Sequence, residues 1–353
     1  MSRPELLVSI ILPIKDGDPA LLDQAISSVL GQSYTNFELL LIDDGSESDY
    51  ASSLEIKAKQ DDRIRLFHIA PSGVSAARNY AIDHAAGDIL TFLDSDDSLN
   101  PYCLEEAVSL LRDSDLDALW GGTFYGRAED IKKLQQTVIG PIPTEELMAQ
   151  RIDLTADRMH LTKAECIGEP YRFGEHGYIN RGIAARFLKK ECFATDQNRF
   201  PVGIKMYEDA IWNLKMLSSL KISYIPTIWY YYLENEESVS NVFHTDILER
   251  MENPFQHLTS ILDLNDPVEY AAYTRLLMDS LRYVYKCLYG NPLWTAAKAE
   301  KKDLLDHLYK SMPWKEIASD KFRHSANARD RKKAFLFRYR LLFAYWKLTW
   351  NKM

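Results

Sequence analysis

At 353 residues the chain is long enough for one large core or for two domains. Its composition, 46% hydrophobic and 26% charged with no low-complexity tract, excludes a disordered or fibrous chain. A formal charge of −9 argues against nucleic acid as the main partner, yet the charge is uneven: residues 321–353 carry ten Lys and Arg against one acid, Asp330, a net +9 that leaves −18 on the rest.

The first element is the apolar run "LLVSIILPI", too short to span a bilayer and without a basic start or a small-residue cleavage site. It reads as a buried strand, Val8–Ile14. Further β-branched runs follow at Phe37–Ile42, Ile64–Ile69 and Ile89–Leu93. Between them lie segments of helical period at Leu21–Leu30, Tyr50–Ala58, Val74–Ala85 and Leu104–Leu111. Strands without polar alternation, separated by helix-length segments, predict a mostly parallel sheet with helices on both faces, an α/β fold of Rossmann-like kind. Asn100-Pro101 is expected to cap and open the next helix.

A fifth strand is expected at Asp117–Tyr125. The pattern then weakens to about Glu175, with "GPIPTEE" as a loop signal, and returns at Asn180–Glu191. A helix is expected over Tyr207–Leu217 and a strand over "ISYIPTIWYYYL". Beyond His244 the chain reads as helix punctuated by Pro254, Pro267, Pro292 and Pro313. This predicts an α/β domain over 1–243 and an all-helical module over 244–353. The four cysteines, Cys103, Cys166, Cys192 and Cys287, form no CxxC pair, a usage that fits a reducing cytoplasm without disulfides or a zinc site.

In open parallel sheets ligands bind beyond the carboxyl ends of the strands. Here those ends read "PIKDG", "DDGS", "PSGVSAARN" and "DSDD", so several acids meet on one rim. So many carboxylates together repel one another unless a cation joins them. Hard oxygen ligands select Mg²⁺ or Mn²⁺, which commonly bridge carboxylates and substrate phosphates. The spacing of Asp94 and Asp96 suits a shared metal and diphosphate, although a D-x-D alone is more often a solvated turn.

The run "VSIILPIKDGDPALLDQAISSVLGQSYTNFELLLIDDGS", then "SGVSAARNYAIDHAAGDILTFLDSDDSLNP", then "FPVGIKMYEDAIWNLKML" resembles the family 2 glycosyltransferases of the GT-A fold over about the first 240 residues. The resemblance implies a UDP-sugar donor, with Asp43 and Asp44 at the uracil and ribose, Pro13 and Asp16 lining the base pocket, and Arg78 reaching the base. It gives Asp94 to the ribose and the metal, Asp96 to the metal and diphosphate, and Asp97 a supporting place. The "ED" pair matches Glu208-Asp209, with Asp209 as the catalytic base of an inverting transfer. Without the upstream pattern, the same pair would read as ordinary acidic charge at a helix start.

Q-x-x-R-W, the signature of processive members, is absent, which favours single additions. The acceptor, a glycan or a lipid-linked one in bacterial capsule, lipopolysaccharide or teichoic-acid-type polysaccharide synthesis, is expected against Gly126–Phe187, with His160, Arg172, His176 and Arg181 as polar candidates. Trp229 and Tyr230–Tyr232 read either as a sugar-stacking surface or as buried strand, and Ser238 and Ser240 match a serine pair that the family often carries. The tail "DRKKAFLFRYRLLFAYWKLTW" mixes cations with aromatics, which suits an anionic membrane surface or a packed terminal helix, and the expected location is cytoplasmic, peripheral at the inner face of the cell membrane. Two other classes are a degenerate GT-A domain acting as a nucleotide-sugar binding or assembly module, and a dinucleotide-binding oxidoreductase. The second is disfavoured by "PIKDGD" where a G-x-G-x-x-G would stand.

Overall fold

The computed structural model describes residues 5–155, 163–164, 166–167, 182–234, 246–288 and 298–349. By contacts the chain falls into two compact units, one made of 1–159 and 170–236 and the other of 160–169 and 237–353.

The first unit is built on a nine-stranded sheet of order β3-β2-β1-β4-β8-β6-β9-β5, with β7 paired to β9. The strands are β1 Val8–Ile14, β2 Phe37–Asp43, β3 Ile64–His68, β4 Ile89–Phe92, β5 Ser98–Leu99, β6 Ala118–Gly126, β7 Ile152–Asp153, β8 Arg186–Lys189 and β9 Ile222–Leu233. β3, β2, β1 and β4 are parallel neighbours, and β6 pairs parallel with β9. β8 lies antiparallel between β4 and β6, so those two run in the same sense. The mostly parallel sheet expected from the buried runs is therefore present. β1 and β2 are buried along their whole length, because helices α1 (Pro19–Leu30), α2 (Ser48–Ala58) and α3 (Val74–His84) cover the sheet.

Three local expectations are corrected. The helix after Asn100-Pro101, α4, starts at Cys103, and Ser98–Leu99 form β5 against Tyr230 and Tyr231 of β9. Asn100 contributes an Oδ1 that accepts the N–H of Tyr102, the residue just before the helix, at 3.0 Å. The stretch of weak pattern holds two short helices, α5 Ala128–Gln135 and α6 Thr144–Ala149, too brief to give a clear period.

The second unit is helical, as expected for the C-terminal module. It contains helices Ile247–Ile261, Pro267–Cys287, Lys298–Lys310, Asp320–Ser325, Ala328–Arg338 and Leu342–Thr349. Tyr273, Leu277, Leu281, Trp314, Phe322, Phe337 and Trp346 fill its core. Pro267 opens its helix under an Asp266 cap that accepts from the N–H groups of Val268 and Glu269, both at 2.9 Å. Pro254, expected to interrupt a helix, lies buried inside one; tertiary packing holds the turn that local preference would break. Lys163 belongs here too, its Nζ 3.3 Å from the Ile261 carbonyl and 3.8 Å from Glu269. Among the described residues no helix is long and apolar enough to cross a membrane.

Candidate active site

The site is assembled from the carboxyl ends of β1, β2 and β4. Pro13 is buried in β1, two positions past the last β1–β4 pair, Ile11 with Phe92, so its missing N–H disturbs no ladder bond to β4. Asp16 follows in the left-handed region at φ 49°. It donates its N–H to the Ser46 hydroxyl and accepts from the Glu47 N–H, both at 2.9 Å, tying the loop after β1 to the loop after β2.

Asp43 and Asp44 are both buried. Asp43 accepts from the Ser46 N–H at 2.9 Å and meets His68 Nδ1 at 2.6 Å. Against the cost of burial, these bonds hold its carboxyl below the usual range, while Asp43 raises the His68 imidazole. Asp44 accepts from the N–H groups of Ser72 and Gly73, at 2.7 and 2.9 Å, where α3 begins. The turn between these loops needs Gly45: it has φ 75°, and a Cβ there would lie 2.4 Å from the Pro71 ring.

At the end of β4 the three acids divide. Asp94 and Asp96 stay partly exposed, whereas Asp97 turns inward. Asp97 accepts from the Tyr230 hydroxyl at 2.7 Å and from the Leu233 N–H at 2.9 Å. The same hydroxyl accepts from the Asp94 N–H at 3.1 Å, so one buried tyrosine spans the turn. Burial and the charges of Asp94 and Asp96 push the Asp97 carboxyl up to about 8. Trp229, Tyr230 and Tyr231 are fully buried in β9, which removes them as a sugar-stacking surface. The Trp229 indole instead donates to Glu106 at 2.6 Å. Sequence reasoning missed Tyr230 as a support of the acid turn; its buried hydroxyl, facing two residues more than 130 positions away, leaves no local signature.

Arg78 brings the remaining acids together. From α3 its Nη1 contacts Asp209 Oδ1 at 2.7 Å and its Nη2 contacts Asp94 Oδ1 at 3.0 Å. The guanidinium is nearly inaccessible, with 3% of its side chain exposed against 35% for Asp94 and 24% for Asp209. It packs over Phe200, which stacks on Trp212 at 4.4 Å. Next to it, Asn79 pairs reciprocally with the backbone of Phe200, both bonds at 2.9 Å. The "ARN" and "FP" segments are thus stapled together. The helix Glu208–Ser219 follows Tyr207, which stands in the left-handed region at φ 62°. A strained bulky residue at a functional rim requires its surroundings to hold it. Burial raises both acidic carboxyls. Asp209 pushes Glu208 up further and Asp94 adds to Asp209, while Arg78 opposes both shifts.

The donor set tests the expected metal. Burial and the charge of Asp94 raise the Asp96 carboxyl, opposed only in part by a bond from its own backbone N–H. Asp94 and Asp96, two hard carboxylates on one turn, fit a divalent ion. Among the described residues no group of three or more His, Cys, Asp or Glu is arranged for one, so its remaining ligands would be donor phosphate oxygens and water. The structure therefore unites Arg78, Asp94, Asp209 and Glu208, with Asp96 and Asp97 on the same turn as Asp94. Asp16, Asp43 and Asp44 form the adjoining loops. His160, Arg172, His176, Arg181, Ser238 and Ser240 lie outside the described residues.

Residues 9–164 match the family model described as glycosyl transferase family 2. A curated relative, the uncharacterized glycosyltransferase EpsJ of Bacillus subtilis, is 29% identical over 67% of this chain, and the alignment spans 63% of that relative's own length. The glycosyltransferase GlyG of Streptococcus pneumoniae is 26% identical over 66% of this chain and 72% of its own. Among solved structures, S. aureus TarS 1-349 in complex with UDP-GlcNAc superposes with a TM-score of 0.61 at 16% identity, over 98% of this chain and 91% of that one. At that identity the likeness establishes the fold.

Proposed function

We propose, from the match of residues 9–164 to glycosyl transferase family 2 and from the GT-A fold shared with TarS, that the protein moves a sugar from a UDP-sugar to a hydroxyl of a glycan or lipid-linked acceptor, with inversion, in building a bacterial surface polysaccharide such as capsule, lipopolysaccharide or a teichoic-acid-type polymer. The observation that carries the reading is the Asp94–Arg78–Asp209 bridge, which links a donor-side carboxylate to a candidate base. The UDP-GlcNAc bound to TarS supports a uridine donor. The basic C-terminal stretch fits work at an anionic membrane surface.

In this reading Asp209 accepts the proton of the acceptor hydroxyl as that oxygen attacks the anomeric carbon. The new C–O bond forms as the bond to the diphosphate breaks on the opposite face, and the electron pair leaves with UDP. A carboxyl raised by burial and by neighbouring acids is a better proton acceptor once ionised, and Arg78 keeps it ionised and aimed. Glu208, its carboxyl pushed up to about 8 by burial and by Asp209, stands beside that base. Pro13, Asp16, Asp43 and Asp44 receive the nucleoside; Asp44 Oδ2 keeps a lone pair beyond the Gly73 N–H, whereas Oδ1 accepts from both the N–H and the hydroxyl of Ser72. The terminal nitrogens of Arg78 face Asp94 and Asp209, so its proposed part here is to hold the two acids in register. Asp96, with Asp94, would hold a Mn²⁺ or Mg²⁺ that offsets the charge of the departing diphosphate.

Asp209→Asn is expected to lower transfer by about a thousandfold or more while UDP binding stays intact in calorimetry. Full turnover by this variant would remove Asp209 as the base. Asp96→Ala should lose the metal-dependent part of UDP affinity. A panel of UDP-sugars tested for turnover separates an enzyme from a binding module, which would bind donor and never consume it.

A further inference from the structure

We propose that the exposed face of the helix Ala328–Arg338 is a docking surface for an anionic lipid bilayer. The inference rests on the membrane-surface part of the reading above, and not on the chemistry of transfer. At 100° per residue, Arg331, Lys332, Phe335, Arg338 and Tyr339 fall within about 120° of one side of the helix axis, and all five are exposed. Phe335 and Tyr339 run along the middle of this face, 49% and 58% exposed, with their rings 4.8 Å apart. Arg331 and Arg338 flank them on one side and Lys332 on the other.

The single acid of the helix, Asp330, is buried on the opposite side, where Lys333 pairs with it at 2.9 Å. The exposed face therefore carries no carboxylate of its own. Arg338 reaches Asp320 at 2.7 Å, and Arg340, just past the helix end, reaches Asp306 at 3.0 Å. Arg329, Arg331 and Lys332 meet no carboxylate among the described residues, and Lys332 lies 5.1 Å from the Tyr345 ring. Leu341 and Leu348, 52% and 81% exposed, add apolar surface in the segment that follows.

Aromatic side chains in the centre with cations at the margins suit a headgroup boundary: the rings enter the upper acyl region while the cations meet lipid phosphates. A second copy of the chain fits less well, because a two-fold contact through this face would set its cations against their own copies.

The test is co-sedimentation of the full chain, without donor or acceptor, with vesicles of phosphatidylcholine alone or with about a third phosphatidylglycerol. Binding is expected only to the anionic vesicles, weakening as salt is raised. Arg331→Glu with Lys332→Glu should reduce it more than tenfold, since each basic residue near such a surface is worth about fivefold. Phe335→Ser with Tyr339→Ser should reduce it about tenfold at unchanged salt dependence. Thermal unfolding checks that these surface variants remain folded. Asp209→Asn is expected to bind vesicles like the parent chain, so that failure of the catalytic reading and failure of this one stay distinct. Equal binding to both vesicle types, unchanged binding by both double variants, or an oligomer that these variants dissolve while vesicle binding persists would each overturn the proposal.

Discussion

Arg78 decides the electrostatics of the rim. Three acids, Asp209, Asp94 and Glu208, act on it by charge, and its guanidinium touches both Asp94 and Asp209. Arg186, buried in β8, is a second cation whose charge also lowers the Asp209 carboxyl. Removing Arg78 takes away an opposing influence on a carboxyl already raised by burial. Asp209 would then ionise at higher pH, and the rise of kcat/KM on the acidic side would follow it. Arg78→Met should move that limb upward by about one pH unit, read from a pH–rate profile at saturating metal. Arg78→Lys, which keeps the charge but loses the fork, should shift the limb less and still lower kcat, because one ammonium reproduces two aligned contacts poorly. An unmoved limb in the Met variant would show that the group titrating in kcat/KM is not Asp209.

At the scale of elements, β9 explains most of what the sequence hid. Its pairing with β6 slips at Gly121 and Gly122: Gly121 faces Ile225, Gly122 faces Ile228, and Pro226 and Thr227 stand outside the register. The proline supplies no ladder N–H, and the bulge re-aims the residues beyond it. Gly121 is required by close approach, since a Cβ there would lie 2.2 Å from the Trp229 ring. The outcome is a Tyr230 hydroxyl placed under the acid turn. Tyr230→Phe leaves the Asp97 carboxyl with one donor fewer and the Asp94 N–H without its acceptor. Each buried loss costs about 1–3 kcal/mol. The expected result is a Mn²⁺-dependent UDP affinity weakened about tenfold in calorimetry, accompanied by a lower Tm. A lowered Tm with unchanged affinity would reduce Tyr230 to a core residue.

The strands that deliver the acids were legible because each is a buried, unalternating run ended by a polar turn, and Asp43, Asp44, Asp94 and Asp96 could be read directly. Two kinds of feature were not. The bridge that Arg78 makes between Asp94 and Asp209 was not legible, because a single chain cannot reveal which distant acids its fork will meet. The strand Ser98–Leu99 went unseen because Asn100-Pro101 is a strong local signal for a helix start, while the partner of that strand lies in β9. Both depend on long-range pairing.

For the whole molecule, the charge division seen in the composition has a physical place: cations gather on the exposed helix Ala328–Arg338 and the segment after it, whereas the rim of the sheet gathers carboxylates. The two compact units thus differ in the sign of the charge they gather at these places.

The contacts across the rim also constrain how the protein comes into being. Arg78 and Asp209 are 131 residues apart, and Asp97 and Leu233 are 136 apart. Closing loops of that size costs chain entropy that local helices and neighbouring strands never face, so these contacts form late. A chain diluted from denaturant should regain its helical circular dichroism first and its transfer activity afterwards, with a separate and slower phase. During that interval the acids would be present but ungathered. A nascent chain would likewise stay catalytically silent until residues beyond Leu233 had left the ribosome.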